Sequence, residues 1–77
     1  MTWIELNSTA IRAARYLNVE SVLDLEFCDG AVYRGSAVPE LTFREFLQAK
    51  SKGRFFNLHL REQFVFAPLR PAEPNRR

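Results

Sequence analysis

The chain has 77 residues, 47% of them hydrophobic and 13% aromatic, with seven phenylalanines. That length allows a single domain, and that apolar content excludes intrinsic disorder. Apolar runs stop at three or four residues, whereas a membrane span needs about 20. Met1 to Ala10 lacks a basic start and carries Glu5, Asn7 and Ser8, so it does not read as a secretory signal. Cys28 is the one cysteine and His59 the one histidine, which rules out an internal disulfide and a zinc site. A reducing cytoplasm is the expected setting.

The net charge of +2 is unevenly placed. Residues 67–77 hold Arg70, Arg76 and Arg77 against Glu73, a net of +2, so residues 1–66 are neutral. The pI of about 9.1 therefore comes from the end of the chain. Within the body the signs separate: Glu20, Asp24, Glu26 and Asp29 have no Lys or Arg among them, while Lys50, Lys52, Arg54 and Arg61 meet no acid until Glu62. Such segregation can give a basic patch on a neutral body. Solvated faces are the plainer alternative.

The first predicted element is a strand over Thr9 to Leu17. Ile11, Ala13, Ala14, Tyr16 and Leu17 fit neither a pure helix nor a pure strand, and a bulge would reconcile them. Asn18 to Ser21 is a turn. Leu23, Leu25 and Phe27 then alternate with Asp24 and Glu26, the period of a strand with one wet face. Arg12 and Arg15 would face Asp24 and Glu26 across the ladder. Asp29-Gly30 predicts a type I′ hairpin leading into a return strand at 31–35.

From Pro39 the period changes. Phe43, Phe46, Leu47 and Lys50 fall at i, i+3, i+4 and i+7, predicting a helix over about 39–50. Either Pro39 is its first residue or Thr42 caps it, with Glu45 closing a capping box. It should stop near Ser51, with Gly53 in a left-handed position. Phe55, Phe56, Leu58 and Leu60 suggest a short helical turn, and residues 63–67 a final short strand. Three prolines beyond Phe66 predict a flexible tail over 68–77. The expected fold is α+β: a three-stranded antiparallel meander over roughly 9–35, packed against one main helix, with Leu23, Leu25, Phe27, Phe43, Phe46 and Leu47 as core. No catalytic constellation is present: nothing makes His59 or Cys28 part of a nucleophile, and Gly30, Gly35 and Gly53 have no phosphate-binding spacing. The residues point to a binding domain without a cofactor, and away from an enzyme.

In order and spacing, Leu23-x-Leu25-x-Phe27, Gly30-x-Val32-Tyr33-Arg34, Val38-Pro39, Ser51-Lys52-Gly53-x-Phe55-Phe56-Asn57 and Leu60-Arg61-x-x-Phe64-x-Phe66 resemble the KTSC domain. That family takes its name from the C-terminus of some lysyl-tRNA synthetases and also occurs as free-standing bacterial or phage proteins. The resemblance covers about residues 6–67 and makes 1–67 the domain. Two paired tyrosines of the family are replaced here, by Tyr33-Arg34-Gly35 and by Phe64-Val65-Phe66. The fusion to a tRNA-handling enzyme implies RNA binding. Lys50, Lys52, Arg54, Arg61, Arg70, Arg76 and Arg77 would then neutralise phosphates, with Arg34, Asn57 and His59 nearby and Tyr33 or Phe56 stacking on an unpaired base. Core packing is the competing role for Phe55 and Phe56. The alternative function is a small protein-binding regulator or adaptor, docking on a component of the transcription or translation apparatus such as RNA polymerase. The geometric expectation is one contiguous surface of Lys50, Lys52, Arg54 and Arg61 beside Asn57 and His59.

Overall fold

A computed structural model describes residues 2–74. Five strands run β1 (Ile4–Glu5), β2 (Ile11–Leu17), β3 (Val22–Phe27), β4 (Val32–Gly35) and β5 (Phe66–Arg70); between β4 and β5 come α1 (Glu40–Gln48), α2 (Lys52–Phe55) and a π-helical turn at Phe56–Leu60. Sheet order follows chain order, β1-β2-β3-β4-β5, and every pairing is antiparallel. The α+β class and the central meander stand as predicted. The sheet is larger than predicted: β1 is added at one edge, and the final short strand, later in the chain than expected, joins β4 at the other.

The bulge in β2 is real. Ile11 pairs with Phe27 and Ala13 with Glu26, leaving Arg12 as the extra residue. That offset puts Ile11, Ala14 and Tyr16 in the core together with Leu23 and Leu25, although their spacing in sequence is irregular. The DG turn differs from expectation. Gly30 has a φ of +95°, but Asp29 is not among the positive-φ residues, so type I′ is excluded. Gly30 N–H donates to Phe27 O at 2.9 Å and Phe27 N–H to Ala31 O at 2.8 Å, closing a three-residue loop in which only glycine's position is left-handed.

Helix α1 starts one residue after Pro39, whose absent N–H lies outside the helical ladder, and no side chain caps it. The capping box of Thr42 and Glu45 is not formed, because both residues are already inside the helix. The helix ends at Gln48 rather than near Ser51: Ala49 is extended, at φ −67° and ψ 139°. Gly53 does not take a left-handed position either. It lies inside α2, and a Cβ there would meet the Ala10 Cβ at 2.9 Å, so glycine is needed for close approach. Gly35 plays the same part under Phe66, whose ring would stand 2.5 Å from an added Cβ.

Phe46, Ile11, Leu23, Leu25, Leu60 and Val38 are fully buried, and Phe43 and Tyr16 join them. Tyr16 stacks on Phe43 with ring centroids 4.9 Å apart and donates its hydroxyl to Val38 O at 2.5 Å, tying β2 to the entry of α1. Phe27 and Leu47 pack on the margin of this core rather than in its centre.

The end of the chain departs most from expectation. The last strand is not 63–67: Phe64 N–H donates to Leu60 O, so that stretch still closes the helical segment. The strand comes later and takes in residues expected to be tail. Pro68 lies opposite Tyr33, and an edge strand tolerates proline because only one of its sides is hydrogen-bonded. Arg70 donates from Nε to Gly30 O at 2.9 Å and pairs with Glu26 at 2.8 Å, and Glu73 N–H reaches Asp29 O at 3.0 Å. The domain therefore extends past the boundary drawn at 67. Arg76 and Arg77 lie outside the described residues. Among the described residues no helix is long and apolar enough to cross a membrane.

Candidate functional site

Because β2, β3 and β4 alternate, their second face collects the charges. Asp24 pairs with Arg15 on β2 and with Arg34 on β4, and both arginines reach it at 2.8 Å. Trp3 lies against the guanidinium of Arg15, 4.4 Å from Cζ to the ring centroid. Asp24 is thereby fully buried. Burial pushes its carboxyl up, but the hydrogen bonds and charges of Arg34 and Arg15 outweigh that and hold it below the usual carboxylate range. Its hydrogen bond in turn raises Arg34 further. One step along the sheet, Glu26 receives Arg70 at 2.8 Å and has Arg12 at 3.7 Å.

This pairing reduces the set of candidate cations. Arg34 and Arg70 are bound to carboxylates, and so are Arg12, Arg15 and, through Glu40 at 3.1 Å, Arg44. Lys52 donates to Ala49 O at 2.5 Å, closing the last turn of α1. Among the described residues, Lys50, Lys52, Arg54 and Arg61 are the cations without an acidic partner, and of these Lys52 is held by that carbonyl. Arg61 makes one long contact, 3.5 Å to Asn57 Oδ1.

Lys50, Arg54 and Arg61 line two different hollows. Lys50 and Arg54 flank a hollow with Phe55, Leu58 and His59, where His59 tilts against Phe55 at 4.8 Å between centroids. Arg61 instead lines a separate cleft of about 390 Å³ with Phe27, Tyr33, Phe56 and Phe66. The rings there stand edge to face: Phe27 to Tyr33 at 5.8 Å, Phe27 to Phe56 at 5.2 Å, and Phe56 to Phe66 at 5.3 Å. The cleft is positioned by four elements. Strand alternation brings Phe27, Tyr33 and Phe66 to the helix-bearing face, and the π-helical turn supplies Phe56. All four rings are half-buried, so each contributes both to packing and to the cleft wall. Phe27 and Phe66 were not among the predicted site residues. The alternation of Phe27 with Asp24 and Glu26 was visible, but its meeting with Phe66 depends on β5 lying beside β4. A metal site is not formed: no group of three or more His, Cys, Asp or Glu is gathered among the described residues.

Comparison with known proteins fits this architecture to a family. Residues 7–64 match the KTSC domain model. The chain is 39% identical over 57 residues to an uncharacterized protein of Stutzerimonas stutzeri, covering 74% of this chain and 80% of that one. It is 41% identical over 59 residues to a protein of Tsukamurella paurometabola, covering 77% and 88%. The crystal structure of a KTSC domain protein from Yersinia pestis superposes with a TM-score of 0.85 at 26% identity, covering 90% of this chain and 97% of that one. The chain belongs to the KTSC domain family.

Proposed function

We propose that this domain is a non-enzymatic, cytoplasmic module that binds single-stranded RNA, with an unpaired base entering the cleft bounded by Tyr33, Phe56 and Arg61. The observation that carries the reading is the coincidence, in one hollow of about 390 Å³, of half-buried aromatic rings with a cation that has no acidic partner among the described residues. Stacking on aromatic or guanidinium planes is how unpaired bases are held, and each stacked base contributes about 1–3 kcal/mol. Arg61 supplies the charge beside the rings. Lys50, in the link between α1 and α2, and Arg54 on α2 are the further groups that can meet phosphates.

Fluorescence anisotropy with a labelled single-stranded oligoribonucleotide tests this. Three phosphate contacts predict a slope of log K against log salt of about −2, and Arg61→Gln should reduce its magnitude by about 0.7. Tyr33→Leu should weaken binding about tenfold at unchanged slope, as loss of a stacking partner does. No RNA affinity, together with nuclease-resistant capture of a protein of the transcription or translation apparatus, would replace this reading with protein docking.

A further inference from the structure

We infer that the outward faces of α1 and of the helical segment after it form a self-complementary surface through which two copies of this chain associate about a two-fold axis. This goes beyond the RNA reading: it shares Lys50 and Arg54 with it but leaves the aromatic cleft and Arg61 outside the surface. Leu41, Glu45 and Gln48 on α1 line a shallow hollow with Phe55. That hollow continues through Ala49 and Phe55 into the one bounded by Lys50, Arg54 and Leu58. The two together make an apolar trough whose ends carry the most exposed leucines of the described residues, Leu41 at 67% and Leu58 at 60%.

Its charges are arranged in the same sense. The α1 end carries Glu45, which has no basic partner among the described residues, while Arg44 there is already paired with Glu40. The opposite end carries Lys50 and Arg54, with no acid between them. A two-fold interface must be complementary to itself. Rotation about an axis through Phe55 lays the α1 of one copy on the α2 side of the other. Leu41 then meets the partner's Leu58, and Glu45 meets the partner's Lys50 and Arg54, so groups left unmatched in the single chain become matched. An unrelated acidic partner would satisfy the cations but would leave Glu45 facing like charge.

Sedimentation equilibrium of the full chain, from micromolar to submillimolar concentration, should show a monomer–dimer equilibrium. Leu58→Asp should weaken it more than about tenfold, since an apolar contact is exchanged for a charge with no partner. Glu45→Lys alone and Lys50→Glu with Arg54→Glu should each weaken it, and an equimolar mixture of these two charge variants should dimerise again. Circular dichroism melts would establish that each variant is folded; if Leu58→Asp is not, the charge variants decide. A monomer throughout the range overturns the inference. So does a dimer indifferent to all the variants, or a failure of the mixed charge variants to recover.

Discussion

The two faces of the sheet use the same strands to opposite ends. On one, Leu23, Leu25, Ile11 and Tyr16 are sealed under Phe43, Phe46 and Leu60. On the other, Asp24 and Glu26 hold arginines from three other strands and the bulge. The covered face gains its stability from burial. The open face does so by matching each buried or half-buried acid to guanidinium groups, an arrangement that is costly to half-dismantle. The difference shows why four of the seven arginines among the described residues, Arg12, Arg15, Arg34 and Arg70, are structural. Cations on the sheet have carboxylates opposite them, whereas Lys50, Arg54 and Arg61, in the stretch between α1 and β5, form no ion pair among the described residues.

The largest effect should come from the covered face. Phe46→Ala empties a fully buried position and should cost about 3–5 kcal/mol, enough to unfold much of so small a domain, as read by denaturant titration. Ending the chain before Phe66 should cost at least ~2 kcal/mol, because it uncovers the aromatic margin under that ring. An unchanged melting temperature after that truncation would show that β5 contributes nothing.

The open face should respond less, and with a pH signature. Asp24→Asn leaves Arg15 and Arg34 without their counter-charge and should cost about 1–3 kcal/mol, since hydrogen bonds to charged groups are lost. The native carboxyl lies below its unfolded value of 3.8, so its contribution is fully present above that pH and fades as the folded group takes up its proton. Stability of the wild type should therefore fall as pH drops below about 4, and Asp24→Asn should flatten that fall. The smallest effect belongs to Arg44→Gln, an exposed i,i+4 pair with Glu40: under about 0.5 kcal/mol. A larger loss there would blur the contrast between buried and solvated pairs.

Much of this was legible in the residues. Alternation at 22–27, the DG turn and the period after Pro39 gave the meander and its helix, and the pairing of Arg12 and Arg15 with the acids of β3 followed from register alone. The edges were not legible. Ile4–Glu5 is too short to show a period, and the prolines after Phe66 argue for a tail unless β4 offers an edge. Local charge runs also misled: Asp24 and Glu26 have no cation near them in sequence, but antiparallel pairing interleaves them with Arg15, Arg34 and Arg70. For the same reason Arg34, Arg70 and Lys52 looked available as contacts while the fold commits them elsewhere. The aromatic cleft required four segments to converge, which no local pattern encodes.

On the proposed function, RNA would meet the aromatic cleft and not the charged face of the sheet. Backbone amide shifts of the full chain, recorded by NMR during titration with single-stranded RNA, test it most directly. Progressive shifts are expected at Phe27, Tyr33, Phe56, Arg61 and Phe66, with Arg15, Asp24 and Arg34 unmoved. Shifts centred on Arg15, Asp24 and Arg34, or no shifts at saturating RNA, would contradict it.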